Sequence, residues 1–317
     1  MRILVYGAGV LGSYLAHELL HGGNDVTILA RGRRADELQQ NGNVIRHYLQ
    51  LRTTVDKVNV IRELLQEDVY DLIFVVMKYP DFEAVLPALA ANQSKHVIIM
   101  GNNASPIDMR YYLQSNSPVE KKVAFAFQLL AGWRESGRVN CVRGPKVSLV
   151  FGGLGEQLTW RSVIDQALKN TRYKTTVYAN MDEWLKSHFV MILPLNRIAV
   201  SYNGNLRNAA KDKRLLNYVI DAIDEGHDVL EKNGYAITPA NQQQFVRKYR
   251  KIFLAALRIM LATPIGRTVL SDNAVSANEM VALYEAFANL KQRANMTTPN
   301  WDKLYKYSPI AITGTRP

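Results

Sequence analysis

The 317-residue chain contains a single cysteine, Cys141. An internal disulfide is therefore impossible, and a metal site of clustered thiolates is excluded. One thiol in so long a chain points to a reducing setting, and the expected location is the cytoplasm. No apolar run approaches the roughly 20 residues that a membrane-spanning helix needs. The first residues are apolar but lack a basic segment followed by an uninterrupted hydrophobic stretch, so no signal peptide is expected. Internal repeats and low-complexity linkers are missing too. Acidic residues are outnumbered, 28 Asp and Glu against 39 Lys and Arg, for a net charge of +11. That excess would suit nucleic acid, but no nucleic-acid-binding motif accompanies it. Its densest run, Arg247, Lys248, Arg250 and Lys251, alternates with Tyr249 and Phe253 and reads as one solvated helix face. The charge is better read as a basic cleft for anionic small molecules, with neither nucleic acid nor membrane as a partner.

What the chain does have is glycine at chosen places. Ile3 to Tyr6 is a short apolar run with β-branched and aromatic members, which predicts a buried strand. Gly7, Ala8, Gly9, Val10, Leu11 and Gly12 follow as G-x-G-x-x-G, and apolar residues then recur at helical spacing from Val10 to Leu20. This strand–turn–helix context is the one that a dinucleotide fingerprint requires. The first glycine permits the tight turn, the second lets backbone amides reach a pyrophosphate, and the third lets helix and strand pack closely. The helix start adds free N–H groups and a positive dipole end. A second strand, Val26 to Ala30, leads into Arg31. Dinucleotide folds place Asp or Glu about 20 residues past the glycines to hold the ribose 2′-hydroxyl. Arginine there, followed by Gly32, Arg33 and Arg34, can instead hold a 2′-phosphate bidentately, so the expected cofactor is NADP(H).

Further along, Arg34 to Gln40 predicts a short helix, and Asn43 to Val60 a less regular stretch with small strands. Tyr70 to Lys78 predicts a buried strand ending at Lys78, Asp81 to Ala91 a helix, and His96 to Met100 another strand ending at Gly101 and Asn102. Strands alternating with helices predict an α/β, Rossmann-like, doubly wound parallel sheet. Such sheets bind ligands beyond the carboxyl ends of their strands. The glycines, Arg31, Lys78 and Asn102 all fall at such ends. Lys122 to Gly153 is strand-rich, and a helix near Leu158 to Lys169 and a strand near Lys174 to Tyr178 complete a first domain, residues 1–179. From Asn180, a candidate helix cap with Glu183 three residues on, the pattern turns helical. Met181 to Leu193, Leu215 to Asn233, Asn241 to Leu261 and Ala277 to Gln292 are predicted helices, so residues 180–317 are expected to form an all-α substrate and dimerisation domain. A homodimer is compatible with this layout.

This order of features resembles the ketopantoate reductases (2-dehydropantoate 2-reductases) over nearly the full length. GAGVLG at Gly7–Gly12, LARG at Leu29–Gly32, VVMK at Val75–Lys78 and Trp184-Leu185-Lys186 carry the resemblance. It implies an N-terminal NADP-binding Rossmann domain, a C-terminal helical domain, and an active site between them. It further implies a role for Arg31 on the 2′-phosphate, for Lys78 near the cofactor, and for Asn102 near nicotinamide and substrate. Lys186 matches the family's catalytic lysine. Where the family has asparagines four and eight residues later, this chain has Val190 and Pro194, and Asn196 is the nearby substitute. Thr268 and Asp272 keep the spacing of the family's later Ser…Asp pair, and Glu279 stands one residue early for its glutamate.

Reducing a 2-oxo acid requires a hydride at the carbonyl carbon and a proton for the developing oxyanion. A lysine ammonium such as Lys186 can supply both charge and proton. Asn102 can hydrogen-bond the substrate or the nicotinamide ribose, Glu279 a substrate hydroxyl, and Thr268 and Asn196 complete the expected substrate side. The leading expectation is NADPH-dependent reduction of a small anionic 2-oxo acid, ketopantoate first, which would serve pantothenate biosynthesis. The rivals are a reductase of the same fold acting on another oxo acid, and a non-catalytic NADP-binding sensor.

Overall fold

The computed structural model describes residues 1–263, Gly266 and residues 277–307. Thr268 and Asp272 lie outside the described residues. The chain divides into two compact units, Met1–Asp182 and Glu183–Pro317.

The strands of the first unit, in chain order, are β1 (Arg2–Tyr6), β2 (Asp25–Leu29), β3 (Asn43–His47), β4 (Arg52–Asp56), β5 (Asn59–Ile61), β6 (Leu72–Val76), β7 (His96–Met100), β8 (Lys122–Leu129), β9 (Ala131–Glu135), β10 (Arg138–Val142), β11 (Val147–Gly152) and β12 (Tyr173–Tyr178). Eight of them make one sheet in the order β12-β11-β8-β7-β6-β1-β2-β5. Its pairs are parallel apart from β8 with β11, which run antiparallel. The chain leaves β1 for β2 on one side and later returns to β6 on the other, with Leu4 level with both Thr27 and Ile73. That reversal opens a crevice beyond the carboxyl ends of β1 and β6. Strands buried on both faces need continuous apolar runs. Leu72–Val76 is buried at every position for that reason. Ile3, Val5, Phe74, Ile98 and Phe151 belong to the core they share with Tyr14 and Leu15.

The less regular stretch after Asn43 does hold small strands, and β3 and β4 join β9 and β10 of the strand-rich stretch in a second, four-stranded sheet, β4-β3-β10-β9, whose pairing the sequence pattern did not announce. Its pairing joins β3 to β10 across more than ninety residues of chain. Five helices belong to this unit: α1 (Val10–His21), α2 (Gly32–Asn41), α3 (Leu86–Ala91), α4 (Pro106–Ser115) and α5 (Arg161–Ala167). The single helix expected over Asp81–Ala91 is instead two 3-10 turns, Tyr79–Asp81 and Glu83–Val85, followed by α3. Proline explains the division, because Pro80 and Pro87 lack an N–H and fit only the first turn of a helix. Helix α4, not anticipated, also begins on a proline, and the Asn103 carboxamide accepts from the Ser105 amide at 2.9 Å just before it.

The second unit is helical throughout its described residues: α6 (Met181–Ser201, whose first two residues belong to the first unit), α7 (Leu206–Ala209), α8 (Lys213–Lys232), α9 (Asn241–Arg247), α10 (Arg250–Ala262), α11 (Ala277–Ala294) and α12 (Pro299–Tyr307). The helix predicted to end at Leu193 runs on through Pro194 to Ser201. The helix predicted over Asn241–Leu261 breaks at Lys248-Tyr249 into α9 and α10. Helix α8 is the spine. Asp212 caps it by accepting from the Arg214 and Leu215 amides at 3.0 Å, and Leu215, Leu216, Val219, Ile220 and Ile223 are fully buried along one face. The Glu225 carboxylate reaches from α8 to accept the Asn300 and Trp301 amides at the start of α12. His227, also on α8, is fully buried, and neither of its ring nitrogens has a hydrogen-bond partner. Burial, with Arg247 adding to it, pushes this imidazole down to about 4.

Candidate cofactor-binding and catalytic residues

In the first unit the candidate residues gather at one edge of the large sheet. Gly7 leaves β1 with φ +122°, and a Cβ there would lie 2.1 Å from the Val76 carbonyl oxygen. Gly12 is as constrained, since its Cβ would lie 1.9 Å from the Gly7 oxygen. Between them Gly9 differs: nothing lies within 4 Å of where its Cβ would be. Gly9 starts α1 with no side chain capping the helix, so the first-turn amides face this space without a side-chain acceptor. Open room, uncapped amides and a helix dipole together make an anion cradle.

Arg31 follows β2 and is exposed. Its Nη2 donates to the Tyr6 hydroxyl at 2.6 Å, and the guanidinium carbon sits 5.7 Å from the Tyr6 ring centroid. Tyr6, the last residue of β1, therefore holds Arg31 against the sheet edge. Burial raises the Tyr6 phenol above its ordinary value, with Arg31 opposing, so Tyr6 stays a neutral acceptor. Three residues on, Arg34 is buried. Its Nε donates to the Ala8 carbonyl at 3.1 Å, Nη2 to Ser13 Oγ at 3.0 Å, and Nη1 to the Gly137 carbonyl at 2.8 Å. Burial lowers its pKa. Arg34 fastens the glycine loop, whereas Arg31 projects beside it.

Lys78 follows β6 and is exposed. Asn102 follows β7 and Gly101, and its buried Oδ1 has no hydrogen-bond partner. Its neighbour Asn103 is engaged at both ends, donating to Met109 Sδ at 3.1 Å and accepting from the Ser105 amide at 2.9 Å just before α4. The two adjacent asparagines thus divide their work: one builds the fold, and the other leaves an acceptor unsatisfied where sheets of this kind bind ligands. A buried polar atom without a partner calls for an explanation. The cradle at Gly9 and the orphaned Asn102 oxygen both fit a bound dinucleotide.

In the second unit, Lys186 lies in the second turn of α6 and is buried, with Nζ 4.8 Å from the Tyr235 ring centroid. Trp184 and His188 stack one turn apart at 4.9 Å, and burial pushes His188 down to about 4, leaving it neutral. Ser187 accepts from the Thr238 amide at 3.0 Å, which fixes this turn of α6. Glu279 is buried in the first turn of α11. Val190 is fully buried, and a Cβ added to Gly226 would come within 2.4 Å of its methyl group. A polar residue at Val190 would face that close helix approach, so the position is spent on packing. Asn196 donates to the Ile192 carbonyl at 2.9 Å. It lines a cavity of about 90 Å³ together with Pro194, Arg197, Met280, Tyr284 and Tyr305.

Three residues the sequence reading passed over belong beside these. Tyr6 positions Arg31, Arg34 fastens the loop, and Arg197 enters the cavity with its guanidinium 4.2 Å from the Tyr305 ring centroid. Only Tyr6 left a signal, as the lone aromatic of its strand immediately before the first glycine.

Comparison with known proteins gives the same picture on two scales. Residues 3–128 match the model of the family described as ketopantoate reductase PanE/ApbA. An uncharacterized oxidoreductase of Bacillus subtilis (strain 168), YkpB, is 49% identical over 45 residues, which is 14% of this chain and spans about 15% of that relative's length. Among solved structures, D-mandelate dehydrogenase with NADH and anilino(oxo)acetate aligns with TM-score 0.77 and 16% identity over 97% of both chains. The 2-dehydropantoate 2-reductase of Methylococcus capsulatus aligns with TM-score 0.69 and 15% identity over 96% of this chain and 95% of that one. At such identities the two structures speak for the fold. Among the described residues no helix is long and apolar enough to cross a membrane.

Proposed function

From the match of residues 3–128 to the model of the ketopantoate reductase PanE/ApbA family, we propose that the chain reduces a 2-oxo acid to the 2-hydroxy acid with NADPH, ketopantoate being the favoured substrate. The observation that carries the reading is the edge of the large sheet. There an uncapped helix start opens at Gly9, and Arg31, rather than an acidic residue, follows β2. The loop Gly7–Gly12 and the amides of α1 hold the pyrophosphate. Arg31, oriented by Tyr6, pairs with the 2′-phosphate, and Lys78 adds positive charge nearby. When bound, NADPH supplies the hydride. Asn102 accepts a hydrogen bond from the nicotinamide ribose or from the substrate. The Lys186 ammonium stabilises the negative charge growing on the carbonyl oxygen and then donates its proton there. Glu279 anchors the substrate hydroxyl, with Asn196 and Thr268 as further substrate contacts. In this reading residues 1–179 serve the cofactor, residues 180–317 serve the substrate, and the setting is the cytoplasm.

A second reading, a reductase of a different oxo acid, draws on Val190. The family resemblance puts a polar residue there, and this chain packs it against Gly226. Losing a designed hydrogen-bond partner changes specificity by orders of magnitude. Steady-state kinetics of the full chain with NADPH against ketopantoate, pyruvate and aromatic 2-oxo acids decides between the two. A kcat/KM for ketopantoate well above that for acids lacking its hydroxyl supports the first. An equal or lower value replaces it with the second, and NADPH binding without turnover on any of them leaves only a sensor.

A further inference from the structure

Helix α1 has a second end. Its N-terminus opens on the glycine loop, but its last two turns carry His17 and His21 on one face, as the i, i+4 spacing requires. Asp56, the last residue of β4 in the small sheet, lies against both. Its Oδ2 is 2.7 Å from His17 Nδ1 and its Oδ1 is 2.9 Å from His21 Nε2. One donor atom from each of the three residues falls within 4.8 Å of the other two, and among the described residues no other trio of His, Cys, Asp or Glu side chains does so. His17 and Asp56 are buried, at 1% and 5% exposure, while His21 is 56% exposed and leaves the cluster open to solvent on one side. This end of α1 is about 18 Å from Gly9, at 1.5 Å rise per residue. The cofactor reading makes no use of it.

We propose that His17, His21 and Asp56 form a binding site for a divalent transition-metal ion of the Zn²⁺ class, which clips α1 to the small sheet. Two imidazoles and a carboxylate, with His21 at the exposed side, are the donor set that such ions take with three protein ligands and an open fourth position. Metal–ligand bonds of about 2.0–2.1 Å put tetrahedral ligand atoms about 3.3 Å apart. The two contacts to Asp56, at 2.7 and 2.9 Å, would lengthen by about half an ångström to reach that spacing, and the two imidazole nitrogens, which lie within 4.8 Å of each other, would close toward it through rotation of the exposed His21 side chain.

The second observation is the far side of the His17 ring. Its Nε2 is buried and has no hydrogen-bond partner. Glu18 Oε1 lies 4.0 Å from it, and Glu18 is itself buried and held by the Arg172 amide at 2.7 Å and by Arg172 Nη1 at 3.1 Å. A neutral His17 that donates from Nδ1 to Asp56 turns the lone pair of Nε2 toward this carboxylate, an unfavourable pairing. A metal ion on Nδ1 moves the ring proton to Nε2, where it faces Glu18. Ligating histidines characteristically present their other N–H to a carboxylate in this way. His47, whose ring lies 5.1 Å from that of His17, is engaged by Thr54 through Nε2 at 3.0 Å and by Arg143 and Cys141 at Nδ1, so it packs beside the site and does not join it.

The test is a titration of the untagged, chelator-stripped full chain with ZnCl₂ in competition with a chromophoric chelator. One tight equivalent per chain is expected. His21→Ala, at the exposed ligand, and Asp56→Asn should each weaken it by at least the roughly tenfold that losing even an outer-shell partner costs. His96→Ala should leave it unchanged. Zn²⁺ should raise the melting temperature of the wild type and not of His21→Ala, and Co²⁺ should give the strong visible bands of a four-coordinate ion in the wild type alone. The absence of a tight equivalent, or an equal affinity in His21→Ala that retains the wild-type circular dichroism, overturns the site. So does a Co²⁺ spectrum identical to that of the hydrated ion.

Discussion

The edge of the large sheet in the first unit and the candidate residues of the second prepare chemistry by opposite means. At the sheet edge the work falls to backbone, with side chains kept out of the way. Gly7 and Gly12 sit where any Cβ would collide with a carbonyl, Gly9 keeps open room, and the helix amides are left uncapped. In the second unit the candidates are side chains set among others. Lys186 lies against Tyr235, Glu279 is buried at a helix start, and Asn196 shares a cavity with Arg197 and two stacked tyrosines. A phosphate cradle made of backbone tolerates little change, because its geometry is fixed by the absence of atoms. A site made of side chains, as proposed for the second unit, can be altered one residue at a time, whereas Val190, fully buried against Gly226, is held by packing.

The sharpest way to break this contrast is within the glycine loop itself. Gly12→Ala should cost about 3 kcal/mol or more, as overpacking against a carbonyl does, and lower the melting temperature. Gly9→Ala should leave that temperature in place yet weaken NADPH binding at least tenfold in a fluorescence titration. If Gly9→Ala is harmless to cofactor affinity, the open space has another purpose. In the second unit, Lys186→Ala should reduce kcat by about 100-fold or more, the scale of lost proton transfer or oxyanion support, with NADPH affinity nearly unchanged. Near-normal turnover would remove the lysine from the reaction. Arg31→Asp should cost NADPH about 100-fold in affinity relative to NADH, since it replaces a bidentate phosphate partner with a like charge. Equal losses for the two cofactors would assign Arg31 to the fold alone.

The smallest effect concerns packing in the second unit. His227 is buried neutral, its pKa lowered to about 4, so unfolding lets it take up a proton at ordinary histidine pH values. Stability is then fully present above about pH 6.5 and declines as pH falls toward 4. Between pH 7 and 5 the loss from this residue should be about 2 kcal/mol. Urea unfolding of the wild type against His227→Leu at both pH values measures it, and equal pH dependence in the two proteins would refute it.

The contrast also accounts for what could be read in advance. The glycines, the apolar runs at Ile3–Tyr6 and Leu72–Val76, and Arg31 were legible because each is a local rule about backbone or strand ends. The small sheet was not, because β3 pairs with β10 across a long chain separation and neither strand carries a strong pattern of its own. The helix at Asp81–Ala91 was misread because periodicity was followed past Pro87, where a new helix begins. The tie from Tyr6 to Arg31 and the hold of Arg34 on the glycine loop were not legible, because a side chain's partner across the fold leaves no mark in the sequence.

Arg31 and Arg34 stand three residues apart and carry the same charge, yet only one is fastened to the loop. Arg34 ties Ala8, Ser13 and the Gly137 turn together, while Arg31 donates to the Tyr6 hydroxyl. On the proposed reading, a change at Arg31 would alter the choice of nicotinamide cofactor and leave the hydrogen bonds of Arg34 to the loop in place. Altering Arg34 would dismantle the cradle for both. What is free to change and what is held fixed stand three residues apart, Arg31 just before α2 and Arg34 in its first turn.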